Sequence, residues 1–106
     1  MFRSPPPLFL LPLLAAALIP APGFAETADP AARVLAASCS ACHGPDGVSP
    51  GSIPAISGLS QAELIEQLTS FRDAPPAGTT VMERHMKGYD DAQIAAIARA
   101  IAEAGK

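Results

Sequence analysis

From Glu26 onwards the sequence is short of the side chains that usually fill a protein interior. Phe71 and Tyr89 are its only aromatic residues there, and alanine recurs throughout. A chain of about 80 residues buries only about 60% of its unfolded surface, so a domain of this size is marginal even when well supplied with bulky apolar residues. Something besides side chains is therefore expected to supply interior volume. The stretch Cys39-Ser-Ala-Cys42-His43 holds both cysteines of the chain and one of its two histidines. It is the natural place for such a group to be held.

The residues before Glu26 read differently. Met1, Phe2 and the single basic residue Arg3 precede an apolar run from Leu8 to Ile19, and small residues follow up to Ala25. This is the pattern of a secretory signal peptide over residues 1–25, cut after Ala25, with 26–106 as one mature domain. The run is interrupted by Pro12 and spans about 12 residues, short of the roughly 20 that cross a bilayer, so no membrane span is expected after cleavage. A periplasmic location follows. Loss of Arg3 leaves Arg33, Arg72, Arg84, Lys87, Arg99 and Lys106 against all 10 acidic residues. Nucleic acid is not an expected partner of so acidic a chain. A redox protein is compatible with it, since surface charge chiefly steers encounter.

Three amphipathic helices are predicted, and no segment alternates with a period of two, so the class is all-α. The first opens at Asp29-Pro30, a capping acid followed by proline in the first turn, and runs towards Cys39 with Val34 and Leu35 as its apolar side. The second opens at Ser60 with Glu63 three residues on, carries Leu64, Ile65, Leu68 and Phe71, and stops near Asp73 before Pro75 and Pro76. The third opens at Asp90 with Gln93, carries Ile94, Ile97, Ala98 and Ile101, and ends at Gly105. Between the first two lies a loop punctuated by glycine and proline, from His43 to Leu59. Loops of that length in compact domains are usually functional.

Several chemistries suit Cys39, Cys42 and His43. A disulfide closing so small a ring would remove little unfolded-state entropy and would not staple the fold. A zinc site using His85 as fourth ligand lacks the paired spacing of structural zinc sites. A redox dithiol belongs at the end of a strand in a βαβ unit, and no such unit is predicted. Cys-x-x-Cys-His in an exported chain reads instead as covalent attachment of a c-type haem. Two thiols one helical turn apart can each add across a vinyl group, and the adjacent imidazole then reaches the iron. The macrocycle would also provide the missing interior.

A second axial ligand would come from Met82, His85 or Met86, which lie together before the last helix. Their spacing leaves the choice open, and it matters, because a thioether ligand raises the haem potential.

With these residues the chain resembles the class I cytochrome c family: CSACHG near the start, IPAISGL in the loop, a methionine segment and a short terminal helix. The resemblance covers essentially the whole mature chain. It implies a small all-α fold of three main helices wrapped around one covalent haem. It further implies thioether links at Cys39 and Cys42, His43 as proximal iron ligand, and Pro54 as the residue whose carbonyl orients the histidine ring. GPDGVSPGSIPAISGL, SFRDA and TVMERHMKGYDDAQI are similar to the cytochrome subunits of flavocytochrome c sulfide dehydrogenases, in which the methionine matching Met82 is the distal ligand. His85 departs from that pattern, and Ala100 stands about where the family places an aromatic residue.

The expectation from this resemblance is an exported monohaem carrier of single electrons, docked as the haem subunit on a flavoprotein that oxidises sulfide. No nucleophile and base pair, phosphate cradle or second cofactor motif is present, so no catalytic site of its own is expected. A free periplasmic electron shuttle and a five-coordinate, gas-binding haem protein are the alternatives.

Overall fold

A computed structural model describes residues 28–106, together with residues 2, 4, 7 and 17–20. The leader assigned to residues 1–25 thus lies largely outside the described residues. Among those described, no helix is long and apolar enough to cross a membrane.

Four α-helices and one 3₁₀ turn make up the domain, with no strand among the described residues: α1 Pro30–His43, the turn Pro45–Gly47, α2 Gln61–Asp73, α3 Val81–Met86 and α4 Asp91–Ala104. Helix α1 starts where Asp29 accepts a hydrogen bond from the Ala31 amide at 3.2 Å and Pro30 takes the first position. It extends through both cysteines to His43. Its inward face is Ala32, Leu35, Ala36 and Cys39. Val34, expected beside Leu35 on the apolar side, is instead 74% exposed. At about 100° per residue, Val34 stands about 200° round the helix from both Ala32 and Ala36, on the outer face.

Helices α2 and α4 each begin with a reciprocal capping box. Ser60 accepts from the Glu63 amide at 3.2 Å while Glu63 accepts from the Ser60 amide at 2.7 Å. Asp90 and Gln93 repeat the arrangement at 2.8 and 2.9 Å. Two otherwise orphaned amides are satisfied at each helix start. Helix α3 is the element beyond the three expected. It has six residues and receives no side-chain cap from Thr80.

The helices bury Leu64 and Leu68 of α2, Met86 of α3, and Ile94, Ile97, Ala98 and Ile101 of α4 as one cluster. A second cluster is made of alanine alone: Ala28, Ala32 and Ala100, with Ala36 and Ala96 packed against it. Ala100 stands there at 7% exposure where a bulky ring would keep α1 and α4 apart. The chain entering α1 is tied to the end of α4, since the Ala28 amide donates to Glu103 Oε2 at 2.7 Å.

The loop after α1 is shaped by two glycines. Gly44 ends the helix at φ +85°, and a Cβ there would lie 2.0 Å from the Val48 carbonyl oxygen. The Gly47 carbonyl accepts from the amides of Ile56 and Ser57 at 2.9 and 3.1 Å. The chain between Gly47 and Ile56 is thereby a closed excursion that carries Pro54.

Two measurements check this account. By chemical denaturation of the haem-loaded protein, Ile97→Ala, at a site 2% exposed, is expected to cost about 2–5 kcal/mol. Val34→Ala should stay within about 0.5 kcal/mol of the parent. Gly44 and Gly58 share a left-handed φ of +85° and +84°, but a Cβ on Gly58 would meet nothing within 4 Å. Gly58→Ala is expected to cost only the conformational strain, about 1–2 kcal/mol, and Gly44→Ala distinctly more. Equal losses would refute the close approach at Gly44.

Candidate functional site

The last turns of α1 carry Cys39, Cys42 and His43 on a single rigid element. Both cysteines are free thiols. Cys39 is half-buried against the main core and Cys42 is exposed. Burial pushes the Cys39 thiol above its ordinary pKa, partly offset by a hydrogen bond with Ser38. One sulfur thus faces the interior and the other the surface.

His43 Nδ1 lies 2.6 Å from the Pro54 carbonyl oxygen. A carbonyl can only accept, so Nδ1 carries the hydrogen and donates it. In the neutral ring that tautomer leaves Nε2 with a free lone pair. The imidazole is thus fixed in orientation and left with one nitrogen available to a metal. The partner carbonyl is delivered by the closed loop, two residues before the Ile56 amide that bonds to Gly47.

The three candidate distal ligands sit on or beside one face of α3 but have different surroundings. Met86 is 2% exposed, a fully buried member of the main core. His85 is exposed and its ring meets that of Tyr89 edge to face, with centroids 5.6 Å apart. Met82 is half-buried and packs against the same core as Cys39, Ile56, Leu59 and Phe71. The structure therefore brings Cys39, Cys42 and His43 together on α1, joins Pro54 to His43, and sets Met82 against the core that Cys39 also touches.

Arg72 is held by side chains and backbone of three segments. Its guanidinium bonds both Asp73 oxygens at 2.7 and 3.0 Å, Asp91 Oδ1 at 2.5 Å and the Tyr89 carbonyl at 3.1 Å. The hydrogen bond from Arg72 holds the Asp73 carboxyl below its ordinary range. Arg84 and Lys87 are exposed. The contacts from Arg72 to Tyr89 and Asp91 join residues 17 and 19 positions apart, which no local pattern announces.

The donor set fits a covalent haem. Two unpaired thiols one turn apart share the end of α1 with an imidazole that keeps one nitrogen free, and Cys39 packs on the same core as Ile56, Leu59, Phe71 and Met82. It does not fit the zinc alternative. Among the described residues no three His, Cys, Asp or Glu side chains come together as a metal site, so His85 is not brought to the cysteines.

Comparison with known proteins agrees with this chemistry. The chain is 41% identical over 66 residues to the cytochrome subunit of sulfide dehydrogenase from Chlorobaculum tepidum. The match covers 62% of this chain and 59% of that relative, so the chain spans about three fifths of the relative's length. The family model for cytochrome c matches residues 28–102. This chain belongs to the cytochrome c family, and is an electron-transfer protein built to carry covalent haem c on Cys39 and Cys42.

Proposed function

We propose that this chain is exported to the periplasm and works there as the haem subunit of a flavoprotein sulfide dehydrogenase. When bound, the haem supplies one-electron redox chemistry at its iron. The chain's own residues do the rest. Cys39 and Cys42 fasten the group, one from inside and one from the surface. His43 serves as proximal ligand through Nε2, and the Pro54 carbonyl holds its ring in place and raises its basicity. Met82 serves as distal ligand.

The observation that carries the ligand assignment is the hydrogen bond from His43 Nδ1 to Pro54, 2.6 Å long. It presets the tautomer that an iron-bound histidine requires. Met82 is favoured over its neighbours because Met86 fills the core and His85 leans on Tyr89 in solvent. A His/Met pair raises the potential relative to two imidazoles, as suits an acceptor of electrons from a flavin. The likeness to the Chlorobaculum tepidum subunit supports a sulfide dehydrogenase as the assembly.

Met82→Ala, produced with a c-type maturation system, is expected to lose the near-infrared band of thioether-bound ferric haem and to have a lower potential. His85→Ala and Met86→Leu should keep the band. Its persistence in the Met82 variant would send the assignment to another residue, and carbon monoxide binding by the unaltered reduced protein would favour the five-coordinate alternative. For the physiological role, a tagged full-length chain recovered from its own periplasm should start at Glu26 and bring down a chain with flavin absorbance. Recovery as a flavin-free monomer would instead favour the free shuttle.

A further inference from the structure

Helix α3 has only six residues and no side-chain cap at its start, so its own backbone gives it little reason to persist. It is held mainly at its far end. The buried Met86 side chain anchors it in the core, and the Met86 carbonyl accepts from the Tyr89 amide at 3.2 Å. The Tyr89 ring packs partly on that core and meets the His85 ring. Tyr89 is thus the post to which α3 is tied.

Arg72 grips that post. It lies in the last turn of α2, its side chain only 18% exposed, and donates Nη1–H to the Tyr89 carbonyl at 3.1 Å. Its Nε and Nη2 donors are taken by Asp73 of α2 and Asp91 of α4. One planar fork therefore spans the end of α2, the link after α3 and the start of α4. We propose that Arg72 is a positioning residue: by fixing the Tyr89 carbonyl between α2 and α4 it sets the place of α3 and hence of Met82. The effect on iron ligation rests on the assignment of Met82 above; the grip on α3 does not.

Lysine keeps the charge but offers a single point of attachment, so Arg72→Lys tests the fork itself and is milder than Arg72→Ala should the latter fail to fold. In haem-loaded Arg72→Lys, amide hydrogen exchange over residues 81–86 is expected to be about tenfold faster, the scale of losing one charge-assisted hydrogen bond, while α1 is unchanged. The ferric form should bind added imidazole about tenfold more tightly, because a loosely held thioether competes less well. Asp91→Asn, whose parent side chain is 86% exposed, should change both readings little, since the bond to Tyr89 remains. Acceleration spread equally over α1, or none, would overturn the grip on α3. Local acceleration with unaltered imidazole binding would overturn the link to Met82. Failure of the Met82 assignment shows separately, as unchanged imidazole binding in Met82→Ala, and leaves the exchange result to decide the grip alone.

Discussion

The hydrogen bond between His43 and the Pro54 carbonyl joins two parts of the chain, the end of α1 and the middle of a loop. Its geometry makes demands on everything nearby. Helix α1 must stop directly after His43, which Gly44 achieves by leaving the helix at φ +85°. The loop must close tightly enough to return Pro54 to the helix end, which the two amides bonded to the Gly47 carbonyl achieve. A single hydrogen bond contributes only about 0.5–1.5 kcal/mol net. Its importance lies in direction, because it decides which imidazole nitrogen is free and where that nitrogen points.

Stability has to come from elsewhere, and the distribution of bulk shows where. Among the described residues the large buried side chains are Leu64, Leu68, Met86, Ile94, Ile97 and Ile101, all from α2, α3 and α4. Helix α1 contributes fully buried Ala32 and half-buried Leu35, Ala36 and Cys39. The alanine seam lets α1 lie close to α4, but it buries little apolar area. The helix that carries the attachment residues is therefore the one least supplied with interior of its own. A macrocycle held by Cys39 and Cys42 would meet that shortage, since both attachment residues belong to α1.

What could be read in advance divides by range along the chain. The starts of α1, α2 and α4 were legible because capping is a transaction among residues two or three apart: Asp29 with Ala31, Ser60 with Glu63, Asp90 with Gln93. Helix α3 was not, because it lacks a cap and depends on Met86 entering a core built by other helices. Alanine misled for a related reason. Its pattern is the same in a packed seam as on a surface, so Ala28 and Ala32 gave no sign of being buried while Val34 did and is not; Ala100 was marked only by standing where the family places an aromatic residue. The cysteine and histidine spacing announced its chemistry directly. Pro54 entered through resemblance to a family, since nothing in its spacing from His43 indicates a contact across 11 residues.

The same difference in range bears on how one methionine comes to be distinguished from another four positions away. Met82 and Met86 have identical chemistry and stand on one helix, so intrinsic affinity for iron cannot separate them. Burial can. Drawing Met86 out of its pocket would leave a cavity among Leu64, Leu68, Ile94 and Ile97, at a cost of the order of 2–5 kcal/mol. Met82 is already half-exposed and forfeits far less on turning to a ligand. A difference of even 2 kcal/mol favours one thioether about thirtyfold at equilibrium. On the proposed ligation, Met86 therefore shapes the site by being unavailable: it holds α3 down, and in doing so leaves Met82 as the sulfur offered to the iron.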